Sequence, residues 1–206
     1  MDLLIATANA GKIREFRQML GGDRFSWHDL SEFPNIVEVP ETGDTFHANA
    51  CLKAAGYATQ ANMWALADDS GLEVDALAGK PGVYSARWAA MQGTGAGDAD
   101  NNATLLRQLE TVPDEKRTAR FVCVLALANH EGRAILTARD TLEGRILRAL
   151  RGSNGFGYDP LFYIDELGQT TAQLSPGQKH QISHRGKALR RMREMMEREL
   201  ALSELM

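Results

Sequence analysis

Two long extended runs, Arg117–Ala128 and Arg133–Thr141, meet at Asn129-His130-Glu131-Gly132, and this pair constrains the fold more than any other feature. Apolar runs broken once by turn residues read as an antiparallel hairpin. Helical patterns surround it. Asp2–Ala6 reads as a buried strand that passes through small residues into Lys12–Leu20, where Ile13, Phe16, Met19 and Leu20 recur at helical spacing. Gly21-Gly22 is the expected stop. Thr45–Asn62 reads as a second helix with Phe46, Ala50, Ala54, Tyr57 and Ala61 on one stripe. Asp100–Glu110 reads as a third helix and Ser183–Leu202 as a basic last one. Phe25–Asp29, Asn35–Val39, Trp64–Ala67 and Leu161–Ile164 read as short strands, and Gln92–Asp98 as a mobile Gly-rich loop. Helices interleaved with strands, one pair antiparallel, predict an α/β fold with a mixed sheet.

The 206 residues fit one domain, 1–206, or two fused lobes. A formal net charge of −4 requires any phosphate site to come from a local cluster of bases. The two cysteines, Cys51 and Cys123, lie in apolar patterned stretches and read as reduced core residues, implying neither a disulfide framework nor a zinc site. The N-terminus has no basic leader, and the longest apolar run, Phe121–Ala128, falls far short of the ~20 residues that span a bilayer, so a cytoplasmic location is expected. In the last helix, Lys187, Arg190, Arg191, Arg193 and Arg198 alternate with Glu194, Glu197 and Glu199. That is the pattern of a solvated, salt-bridged face and argues against a nucleic-acid-binding module.

Five segments carry chemistry-bearing residues. Thr7-Ala8-Asn9-Ala10-Gly11-Lys12 places small residues between a strand and a helix, where backbone N–H groups and the helix dipole favour an anion. A P-loop would need Gly at position 6 and Ser or Thr at position 13, where this chain has Ala6 and Ile13. An ordinary capped helix start is the alternative. Asn49 and Lys53, four apart after Glu41, share a helix face off the apolar stripe, as a solvated surface pair would too. Asp68-Asp69-Ser70-Gly71 follows a strand and offers adjacent carboxylates, suited to Mg²⁺ or to taking a proton from water. An acidic turn, bent at Gly71, is the competing reading. Ser153–Pro160 sets Phe156 and Tyr158 among glycines, as stacking rings for a nucleobase or as loop anchors, with Asp159 able to accept from a base N–H. Lys179, with Ser183-His184-Arg185 at the last helix start, gives donors for a base carbonyl or a phosphate.

Taken in order, these segments, together with Glu41-Thr42-Gly43 and Pro81-Gly82-Val83-Tyr84-Ser85-Ala86-Arg87, resemble the inosine triphosphate pyrophosphatases, enzymes of non-canonical purine nucleoside triphosphates. Ala8 stands where that family often has Gly, Trp88 where it often has Tyr, and the stretch around Thr94-Gly95-Ala96-Gly97 is shorter than in many relatives. The resemblance implies an elongated mixed β-sheet flanked by helices, two lobes with a central nucleotide-binding cleft, and a homodimer. It implies that Thr7, Ala8, Asn9, Ala10, Gly11 and Lys12 cradle the triphosphate, that Lys12 and Lys53 neutralise its charge, and that Asn49 and Ser70 contact substrate. Glu41 and Asp69 would hold Mg²⁺, with Asp69 as general base and Lys53 as its catalytic partner. Phe156 would stack on the base within the loop that includes Gly157 and Tyr158. Asp159, Lys179, His184 and Arg185 would read its edge. Attack at the α-phosphorus would release pyrophosphate from inosine or xanthosine triphosphates or their deoxy forms. The rival readings are a nucleotide kinase or GTPase, disfavoured by the broken P-loop, and a related pyrophosphatase of modified pyrimidine nucleotides, disfavoured by the Lys179…Ser183-His184-Arg185 segment.

Overall fold

The computed structural model describes residues 1–20 and 25–203. The expected helix stop at Gly21-Gly22 lies outside the described residues. In chain order the elements are β1 (Asp2–Ile5), α1 (Ala10–Met19), β2 (Ser26–Asp29), α2 (Phe46–Ala61), β3 (Trp64–Val74), α3 (Trp88–Met91), α4 (Asp98–Gln108), β4 (Thr118–Ala128), β5 (Ala134–Ile146), β6 (Phe162–Ile164), β7 (Gln169–Thr170), α5 (Pro176–Ile182) and α6 (His184–Ser203). Among the described residues seven strands form one sheet in the order β2-β1-β3-β4-β5-β6-β7. β1 pairs in parallel with both β2 and β3, whereas β6 pairs antiparallel with β5 and β7, so the sheet is mixed as expected. Leu3, Leu4 and Ile5 of β1 are all fully buried, as a strand covered on both faces requires.

Two compact units divide the chain. The first comprises Met1–Asp69, Cys123–Asp140 and Arg185–Met206. Its main core packs Leu3, Ile5 and Leu66 of the sheet against Phe16 of α1 and Leu189 and Met192 of α6. The second comprises Ser70–Val122 and Thr141–His184, with Leu72, Leu105, Phe121, Ile146 and Phe162 in its core.

Three expectations change. β3 is one unbroken 11-residue strand, so Asp68-Asp69-Ser70-Gly71 is not a turn. Gly71 serves packing instead of bending: a Cβ there would lie 2.6 Å from the Gly82 carbonyl oxygen and collide with the Ser85 hydroxyl. That hydroxyl accepts from Leu72 N at 2.8 Å and donates to Gly82 O at 2.6 Å, which fixes the 3₁₀ turn Gly82–Arg87 against the strand. Asn35–Val39 forms no strand: Asn35 lies in a turn, and side chains of α2 bond the backbone of Val37 and Val39. α5, absent from the sequence reading, begins with a capping box at Ser175 and Pro176 at its first position. Ser183 then separates α5 from α6 in extended conformation.

Candidate active site

The unbroken strand through Asp68 and Asp69 separates their side chains. Successive residues of a strand face opposite sides of the sheet, so adjacent carboxylates serve two different surroundings. Asp69 turns toward α2. Asn49 donates its Nδ2 to Asp69 Oδ2 at 3.0 Å, and Lys53 Nζ lies 3.9 Å from Asp69 Oδ1. The same ammonium donates to Glu41 Oε1 at 2.6 Å. Lys53 is therefore no solvated surface lysine. It is buried on the helix face that also buries Asn49, Ala50 and Ala54, and it links two carboxylates from distant parts of the sequence.

Asp68 turns toward α1 and α6. Lys12 Nζ stands 2.9 Å from its Oδ2, and the Arg185 guanidinium stands 3.5 Å from the same oxygen while also pairing with Glu15. The two environments drive the carboxyls apart. At Asp69, burial dominates and pushes the carboxyl up to about 6, against the pull of Lys53 and Asn49. At Asp68, burial opposes ionisation too, but Lys12, Arg185 and Lys53 outweigh it and hold the carboxyl well below the usual range. Lys53 itself is raised, because Asp68, Asp69 and Glu41 overcome the cost of its burial. The two neighbouring carboxyls thus differ in proton affinity, with Asp69 the more basic of the pair.

At the start of α1, Asn9 is the N-cap, and its Oδ1 accepts from Gly11 N at 2.9 Å and Lys12 N at 3.1 Å. An anion takes these amides only by displacing the cap. Thr7 is half-buried, Ala8, Asn9 and Ala10 are exposed, and Ser70 is half-buried in β3.

The second unit gathers the loop residues. Asp159 Oδ2 accepts from Phe156 N at 2.8 Å and from Lys179 Nζ at 2.6 Å, and Thr171 donates to Oδ1 at 2.9 Å. The Lys179 ammonium also lies 4.9 Å from the centre of the half-buried Phe156 ring. Asp159 thus organises the loop. A Cβ at Gly155, where φ is +78°, would collide with its carboxylate. Tyr158 is a buried anchor and not a stacking surface, its hydroxyl donating to Ser85 O at 2.9 Å. Gly157 is gripped from α4: its N–H donates to Asp98 Oδ2 at 2.7 Å and its carbonyl accepts from Asn102 Nδ2 at 2.9 Å. His184 stacks on Phe121, centroids 4.9 Å apart. Arg185, expected at the base edge, is committed to Asp68 and Glu15 in the first unit.

A profile of the Ham1 family matches residues 3–195. The chain belongs to the Ham1 family. A relative from Desulforamulus reducens named dITP/XTP pyrophosphatase is 52% identical over 198 residues, covering 96% of both chains. One of the same name from Exiguobacterium sibiricum is 50% identical over 192 residues, covering 93% of this chain and 95% of its own. The solved structure of a HAM1 protein from Coxiella burnetii superimposes with a TM-score of 0.87 at 40% identity, covering 96% of this chain and 99% of its own. In this Ham1 chain the sequence reading missed Glu15, Asp98, Asn102 and Thr171, each of which grips a residue it did find. Asp98 and Asn102 are four apart on α4, a spacing that marks a shared face but not what that face meets.

Proposed function

We propose that the chain hydrolyses non-canonical purine nucleoside triphosphates (ITP, dITP, XTP and dXTP) to the monophosphate and pyrophosphate, removing deaminated purines from the nucleotide pool. The observation that carries the reading is Lys53 held between Glu41 and Asp69. Two hard-oxygen carboxylates converge where positive charge is already stabilised, the donor chemistry that Mg²⁺ takes alongside water and phosphate oxygens. Glu41 and Asp69 would hold the ion, which when bound supplies Lewis-acid polarisation of the phosphates and charge neutralisation of the leaving pyrophosphate. Asp69 accepts the proton of the attacking water. Lys53 and Lys12 offset charge on the polyphosphate. Asp68 keeps Lys12 in place and also pairs with Arg185. In the second unit, Phe156 offers its ring to the base, with Lys179 the nearby donor for a 6-oxo group. A 6-amino purine would set a donor against that donor, a mismatch that discriminates strongly. The names of the 50–52% identical relatives support the same substrate class. We include in this reading a cytoplasmic homodimer without nucleic-acid or membrane partners. Among the described residues no helix is long and apolar enough to cross a membrane.

Incubation with Mg²⁺ and inosine, xanthosine, guanosine or adenosine triphosphate should release pyrophosphate, fastest from the first two. Orthophosphate as the sole product would refute the proposal. Phe156→Ala should raise the KM for inosine triphosphate about tenfold, the scale of one lost base stack, while Mn²⁺ binding measured by calorimetry stays unchanged. An unchanged KM would remove Phe156 from the base site.

A further inference from the structure

Glu41 sits on a segment outside the sheet, and one face of α2 holds that segment in place. Gln60 grips the Val37 backbone at two points: its Oε1 accepts from Val37 N at 2.8 Å and its Nε2 donates to Val37 O at 3.0 Å. The Tyr57 hydroxyl accepts from Val39 N at 3.3 Å. Gly56 leaves the space that Val39 fills, since a Cβ there would lie 2.7 Å from Val39 Cγ2 and 3.1 Å from Cγ1. On the far side of Glu41, Asn49 Oδ1 accepts from Gly43 N at 2.8 Å. Asn49, Lys53, Gly56, Tyr57 and Gln60 recur at three- and four-residue spacing, so they line one face of the helix. The strap is therefore anchored before and after Glu41 by the same helix that brings Lys53 to the Glu41 carboxylate.

We infer that the strap 37–43, laid along α2, is the device that positions Glu41, and that Gln60 and Gly56 set divalent-cation affinity by fixing where that carboxylate ends. The inference rests on the reading of Glu41 as a metal-holding residue. A segment without a ladder keeps its conformational freedom unless other bonds remove it. A carboxylate held within a fraction of an ångström of its working position needs such bonds. Asn49 ties both carboxylates into one frame, since its other end donates to Asp69. Gln60 and Gly56 are positioning residues, acting through Val37 and Val39.

The test titrates Mn²⁺ alone into the full chain by calorimetry, with the Mg²⁺ activation constant and kcat measured in parallel. Gln60→Ala should weaken Mn²⁺ about tenfold, the scale of losing a group that orients a ligand, and leave kcat at saturating Mg²⁺ within about twofold. Gly56→Ala favours the helix by propensity, so its thermal midpoint should hold or rise. Its Mn²⁺ affinity should nonetheless fall about tenfold through the displaced Val39. The double variant Val39→Ala/Gly56→Ala removes both clashing methyls and should restore affinity. Unchanged affinity in Gln60→Ala and Gly56→Ala, or no recovery in the double variant, overturns the strap. Glu41→Gln separates the two levels. If it leaves Mn²⁺ affinity intact, the metal reading falls and the strap's role with it. If it abolishes affinity while the strap variants bind normally, the strap alone falls.

Discussion

Asp69→Asn is expected to lower pyrophosphate release by at least about a thousandfold, since under the proposed reading it removes a general base and a charged metal oxygen together. The same change should raise the thermal midpoint of the metal-free chain at pH 8. Burial pushes the Asp69 carboxyl up to about 6, from an ordinary value near 3.8. Between those values the folded chain holds a proton that the unfolded chain has released. Stability from this group therefore falls as pH rises through that window, and the full cost, on the order of 3 kcal/mol, is present above it. An amide keeps the shape, can still accept from Asn49 and carries no charge to bury. Lys53 keeps Glu41 as its close partner. The stabilisation should vanish near pH 4, where the carboxyl is protonated in the folded chain. Calorimetry at the two pH values and a pyrophosphate assay check both halves. Activity above a tenth of wild type would remove Asp69 as the base, and a lowered midpoint at pH 8 would show that burial does not dominate its energetics.

The sequence carried most of the elements, but not how the candidate residues pair. Periodicity located α2 to within one residue at each end, because Thr45 caps it and Asn62 closes it in left-handed conformation with φ of 49°. Lys53 looked solvated because local pattern cannot show that Glu41 and Asp69 converge on the same face. The break assigned at Asp68 followed from reading charge and glycine as turn signals. Tertiary ion pairs outweighed those signals and kept β3 continuous through the site. Asn35–Val39 has the composition of a strand, yet its hydrogen bonds go to Gln60 and Tyr57, a destination invisible to propensity. Tyr158 and Phe156 were alike as aromatics in a Gly-rich loop, and only the contact to Ser85 distinguishes anchor from surface. Arg185 stood out in the sequence as a candidate, but its partners lie in segments remote in sequence.

Asp68→Asn should act in the opposite direction, destabilising the fold by about 3–5 kcal/mol, the range for removing one partner of a buried ion pair. At this chain length that lowers the thermal midpoint by about 10 °C. Asp68 is fully buried, and its loss leaves the Lys12 ammonium and the Arg185 guanidinium without the carboxylate they share. Because its carboxyl is held below the usual range, its stabilisation is fully present above the unfolded value near 3.8 and drains away as pH falls below it. The gap between wild type and variant should therefore be constant from pH 6 to 8 and close in acid. Adding Arg185→Met to Asp68→Asn should cost less than the sum of the two single changes, since the second removes a cation the first has stranded. Additive losses would mean that the pair is not coupled. Two asparagines, introduced at adjacent positions of one strand, are thus expected to move stability in opposite directions at pH 8. That contrast follows only if the pleat of β3 gives Asp68 to structure and Asp69 to chemistry.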